Sequence, residues 1–208
     1  MAISVDDTSV ARVTGTPNQS GTIVTASFTP ANDSLLVACA AVDNNPGANP
    51  FTMSGGGLIW TERIDQSAIN SVHVAIWTAP VSTGASMTVT LTRSAGGDAA
   101  MRRAELKVYI ATGQHASPIG TTGSGSSTEN NHTPTLFTST GAGRAFFEAG
   151  DWQDRGLPSS TDTEDAYDTG TIDGLSAYKA ADHATSEAVT GNMDGGGSAA
   201  TAWRWAAL

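Results

Sequence analysis

The residues best suited to chemistry lie late in the chain, where Asp151, Asp154, Asp162, Glu164, Asp165 and Asp168 gather around Trp152 and Tyr167, with Arg155 as the one base among them. An indole face suits the apolar face of a hexose, and neighbouring carboxylates can accept hydrogen bonds from its hydroxyls. Trp152, Asp151, Asp154 and Tyr167 therefore form a candidate glycan contact. Oxygen donors in this number could also surround calcium, which takes roughly six to eight of them. Their spacing fits no EF-hand loop, and acids gather in solvated loops without any ion, so no metal or other cofactor is expected. Glu148, Asp151 and Asp154 could supply the two carboxylates of a glycosidase, an assignment that depends on their separation in space.

Other chemistries lack their pattern. His73, His115, His132 and His183 are scattered, and none falls in a His-Glu-x-x-His spacing. Ser54-Gly55-Gly56-Gly57 has no lysine and no helix after it, and reads as a tight turn feeding Leu58-Ile59-Trp60-Thr61. Cys39 is the single cysteine, which removes disulfides and Cys-based zinc sites within this sequence. Inside Leu35-Leu36-Val37-Ala38-Cys39-Ala40-Ala41-Val42 it reads as a small buried hydrophobe. Trp60, Trp77, Trp203 and Trp205 sit in strand patterns and read as core, the last two on one sheet face because they are two residues apart. No catalytic residue emerges, and an enzyme is not expected.

Composition narrows the partners. Twenty acids against ten bases give a formal charge of −10, and Lys107 and Lys179 are the only lysines. Phosphate binding needs clustered Lys and Arg, so nucleic acid is not an expected partner. Charged residues make up only 14% of the chain, which leaves solubility to Thr, Ser, Asn and Asp. Met1-Ala-Ile-Ser-Val-Asp-Asp lacks the basic start and apolar run of a signal peptide. No segment approaches the ~20 apolar residues of a membrane-spanning helix. Synthesis in a cytoplasm, without a membrane partner, is the expectation.

The elements that must position these residues read as strands. Val72 to Ala79 is followed, after a Pro/Ser/Gly turn, by Met87-Thr88-Val89-Thr90-Leu91-Thr92-Arg93, where apolar and hydroxyl side chains alternate with the period of a pleat. Short runs bounded by Gly, Pro, Asn, Asp and Ser mark strands near 22–28, 34–42, 58–63, 71–79, 86–93, 102–112, 134–140, 144–150, 173–181, 186–193 and 199–206. Some ten to eleven strands at this spacing imply an antiparallel β-sandwich. Residues 43–50, 113–133 and 151–171 read as long loops, with the Gly/Ser/Thr run 120–128 too flexible and polar to pack. The third carries the acidic cluster, and loops of this length are commonly functional. Residues 1–20 read as an N-terminal arm or extension ordered by a neighbouring subunit, and 21–208 as a single β-sandwich domain.

The ordered series Phe28-Thr-Pro-Ala-Asn-Asp-Ser-Leu-Leu-Val37, Ser54-Gly-Gly-Gly-Leu-Ile-Trp60, Val74-Ala-Ile-Trp-Thr-Ala79, Met87-Thr-Val-Thr-Leu-Thr92, Gly150-Asp-Trp152 and Trp203-Arg-Trp-Ala-Ala-Leu208 resembles a β-rich module recurrent in virion proteins of tailed bacteriophages of actinobacterial hosts. Such proteins are often labelled minor tail proteins. The resemblance covers the chain from about residue 20 onward. It implies a jelly-roll-like sandwich, a place on the virion, other virion proteins as partners and a homo-oligomer. Its motifs mark strands and turns and carry no catalytic residue. With no fibre or anchor segment expected beyond Leu208, both a minor tail protein and a capsid decoration protein fit. Two alternatives come from other classes: a carbohydrate-binding module engaging host-surface glycans through the Trp152 region, and a glycan-cleaving enzyme.

Overall fold

A run such as Leu35 to Val42, apolar at every position, offers water no face, and the strand it forms is buried throughout. That strand lies in the middle of the molecule. The computed structural model describes residues 3–15, 19–44, 51–66, 71–93, 100–101, 104–114, 117–128, 131–151, 163–168, 173–191, 193–194 and 203–208. Among them the protein is all-β, an antiparallel sandwich with no helix.

The first half of the chain supplies β1 (Ser4–Asp6), β2 (Val13–Thr14), β3 (Gln19–Ser20), β4 (Thr22–Val24), β5 (Ser34–Asn44), β6 (Phe51–Gly55), β7 (Thr61–Gln66), β8 (Ser71–Val81), β9 (Val89–Arg93), β10 (Ala100–Met101) and β11 (Ala104–Thr112). The second half supplies β12 (Gly123–Ser127), β13 (Asn131–His132), β14 (Thr135–Thr138), β15 (Phe146–Asp151), β16 (Thr163–Asp168), β17 (Asp173–Tyr178), β18 (Ala188–Thr190), β19 (Met193–Asp194) and β20 (Trp203–Ala207). Each run marked from the sequence overlaps a strand, although Leu58, Ile59 and Trp60, expected to open one, precede β7 and Ile59 is exposed. The additional strands are short, or lie where the sequence suggested loops.

Four layers result. The central sheet runs β1-β11-β5-β8-β7, with β2 also on β11, and on one side it faces the three-stranded sheet β4-β9-β6. Leu36, Ala38, Ala40 and Val42 of β5 and Leu106, Val108 and Ile110 of β11 meet Ile23, Met53, Val89 and Leu91 there. Burying each such Leu, Ile or Val side chain is worth about 1.5–3 kcal/mol. On the other side Leu35, Val37, Cys39 and Ala41 meet Phe146, Ala206 and Leu208, the contribution of the sheet β12-β20-β15-β17-β16. The far face of that second sheet carries Phe147, Leu175 and Trp205 against Leu136 and Phe137 of β14 and Val189 of β18. The small residues Ala38 to Ala41 let a sheet approach β5 from both sides. Cys39 is fully buried, as its apolar context suggested, and Trp77, Trp205 and partly buried Trp60 belong to the packed clusters.

Three expectations need correction. Residues 3–15, expected as an arm awaiting a neighbour, also pair within this chain: β1 and β2 lie on β11, and Val10 enters the first cluster. Between those two strands the Lys107 ammonium donates to the carbonyls of Asp7 (2.6 Å) and Val10 (3.1 Å), replacing the missing ladder. The Gly/Ser run does pack, as β12, because its glycines permit close approach. A Cβ on Gly125 would lie 2.6 Å from the Trp205 ring, and one on Gly123 would strike the Leu136 carbonyl. Lastly, Glu164, Asp165 and Asp168 lie on β16, paired along its whole length with β17, and not in a loop. Acids are poor strand formers, but β16 is an edge, where charge opposes pairing with a foreign strand.

Candidate functional site

Of the candidate glycan contacts, Trp152 and Asp154 lie outside the described residues. Asp151 closes β15, opposite Asp173 of β17, which in turn stands opposite Asp168 of β16. Tyr167 belongs to the next row, opposite Gly174. Asp151 and Tyr167 thus sit on strands separated by β17, about 10 Å apart at the usual strand spacing. Among the described residues no group of three or more His, Cys, Asp or Glu could hold a metal ion.

Glu148 is 0% exposed and faces the central sheet, so a glycan could reach it only if the two sheets parted. Its Oε2 accepts a 2.6 Å hydrogen bond from the Ser176 hydroxyl of β17, which also stands 3.0 Å from Oε1 of Glu105 on β11, likewise 0% exposed. A hydroxyl has one proton and donates to one carboxylate at a time; Glu148 shares a sheet with Ser176, so the contact that crosses between the sheets is the one to Glu105. Lys107, two residues from Glu105 and therefore on the same face, lies 5.5 Å from the centre of the Tyr109 ring. Tyr109 packs with Phe146 and Tyr178 at centroid distances of 5.6 Å each, and the Tyr178 hydroxyl donates to the Asp7 carboxylate (3.2 Å). Burial pushes the Cys39 thiol well up, with the Glu148 and Glu105 charges adding to the shift and Lys107 opposing it. That thiol stays protonated and unreactive.

This polar layer was missed in the sequence, although a signal for it existed. Glu105 and Lys107 interrupt the run Ala104 to Ala111 at a spacing of two, which puts both on one face of a strand otherwise committed to burial. Ser176 gave no comparable sign, since a serine between Leu175 and Ala177 is ordinary.

The exposed side of the sheet β4-β9-β6 has the opposite character. Thr22, Thr92 and Thr52 form one row across the three strands, and Val24, Thr90 and Ser54 form the next. These six residues are exposed or half-buried, and none is charged. The Ser27 and Ser86 hydroxyls, 2.8 Å apart, join the strand segments beyond the end of this face. Short hydroxyl side chains at the regular spacing of a sheet make a flat surface that loses little rotamer entropy when covered. Comparison with protein-family models, curated proteins and solved structures yields no match to the chain.

Proposed function

We propose that the protein is a non-enzymatic structural subunit of a bacteriophage virion, a minor tail protein or a capsid decoration protein, with a jelly-roll-like sandwich as its building unit. The observation that carries this reading is the uncharged threonine and serine face of β4-β9-β6. Interfaces are depleted in Lys and Glu, whose long side chains resist ordering, and this face has neither. One of the two lysines, Lys107, is buried, which leaves the exterior poor in the residue that most opposes permanent contact. The sequence resemblance supplies the virion as the setting, with other virion proteins and further copies of this chain as partners.

The glycan-directed alternatives rest on Trp152, Asp151, Asp154 and Glu148, and the burial of Glu148 weighs against its use on an external sugar. The test is mass spectrometry and antibody-labelled electron microscopy of gradient-purified particles, for the wild type and for Thr92→Lys, which sets a charge in the middle of the flat face. The protein should be present at a fixed place on wild-type particles, and the variant should melt normally yet be missing from them. Absence of the wild-type protein from washed particles would overturn the proposal.

A further inference from the structure

Where β5 begins and β11 ends, the central and second sheets diverge around a cavity of about 380 Å³. Small-molecule sites usually measure about 300–1,000 Å³. Its apolar wall includes Leu35, Val37, Phe137, Phe146 and Leu208, and hydroxyls of Thr121 and Thr140 stand at its rim, 3.2 Å from one another. In a chain with twice as many acids as bases, the described lining contains no Asp or Glu. Its ionisable side chains are Arg144 and His183.

Arg144 is held rigidly. Its side chain is 12% exposed, its Nε donates to Asp182 Oδ1 and its Nη2 to the Ile3 carbonyl, both at 2.9 Å. Its Nη1 has no partner among the described residues, so two N–H donors remain on a guanidinium whose orientation is fixed. His183 stands beside it, its ring edge-on to Phe137 at 5.8 Å. An apolar wall that ends at an anchored arginine matches a molecule with a hydrocarbon body and an anionic acceptor head.

We propose that this cavity is a binding site for a small amphipathic carboxylate, its chain against Leu35, Phe137, Phe146 and Leu208 and its head on Arg144 Nη1. The site is independent of the virion reading, because it would exist on the isolated protein. The experiment is an NMR titration of the full chain with sodium octanoate, with 1-octanol as the neutral control. It is repeated on Arg144→Lys and on Ala142→Trp, a change at an exposed rim residue that closes the mouth without touching the Arg144 bonds. Saturable octanoate binding is expected, with shifts confined to the lining. Octanol should bind at least about tenfold more weakly, and Ala142→Trp should weaken octanoate by at least about tenfold. Arg144→Lys should also weaken it, since a point charge on a shorter reach replaces the planar donor pair. No saturable octanoate binding, equal binding of octanol, or unchanged affinity in a folded Ala142→Trp protein would each overturn the assignment.

Discussion

On β11, Ala104, Leu106, Val108 and Ile110 turn toward the sheet β4-β9-β6, whereas Glu105, Lys107, Tyr109 and Ala111 turn toward the sheet of β15, β17 and β20. The two faces belong to one strand and are equally hidden from water, yet one is sealed by hydrocarbon alone and the other by a layer of charges, hydroxyls and rings. Burial by itself therefore does not dictate apolar chemistry. Hydrocarbon packing selects which side chains face inward, while the Glu105–Ser176 contact and the Lys107 contacts with the Asp7 and Val10 carbonyls add bonds between particular partners. On this account the apolar face supplies most of the stability, and the polar face fixes how the two halves of the chain are set against each other.

The largest difference should appear between volume and bonding. Leu106→Ala should cost about 2–5 kcal/mol, and Leu106→Met under about 1.5 kcal/mol, because on that face only the filled volume matters. Urea melts of the two variants measure this directly. Across the strand, Ser176→Ala removes a single oxygen and should still cost about 1–3 kcal/mol, since it deletes a buried hydrogen bond to a carboxylate. A cost near zero would mean that the polar layer does not fix the arrangement. Beyond both faces, Gly125→Ala should cost about 1–3 kcal/mol by forcing the Trp205 ring off β12, with altered tryptophan fluorescence as the sign that the ring has moved.

Much of this comparison was legible in the sequence. Alternation in 86–93 and the unbroken run 35–42 mark strands because side-chain period and burial are local properties. β12 and β16 were not legible. Their backbones pair because β20 and β17 lie beside them, while their own residues, Gly and Ser in one case and Glu and Asp in the other, favour loops. The polar layer was half-written, in the spacing of Glu105 and Lys107. The cavity left no trace, since Leu35, Arg144 and His183 come together only through sheet packing.

The smallest effect concerns His73, which packs edge-on against Phe51 at 4.9 Å, on the hydrocarbon side of the central sheet. Burial pulls its imidazole below the usual value, and the Asp65 carboxylate 3.1 Å away only partly offsets this. The fold therefore favours the neutral ring. Its contribution is complete above the ordinary histidine value of about 6.5 and is lost as pH falls from there through the lower folded value. The drop in urea midpoint from about pH 7 to about pH 5.5 should be smaller in His73→Phe than in the wild type.

The claim that the polar layer joins the halves into one cooperative body is tested most directly by reporters in different layers. Trp77 sits in the cluster between the central sheet and β4-β9-β6, and Trp205 in the cluster beyond the second sheet. Two proteins are needed, one keeping only Trp77 and the other only Trp205, with Phe at the remaining tryptophan positions. Each is melted in urea and followed by its own fluorescence and by far-ultraviolet circular dichroism. Coincident midpoints from both probes in both proteins are the predicted result; a Trp205 transition displaced from the dichroism midpoint would show that the halves unfold separately and contradict the account.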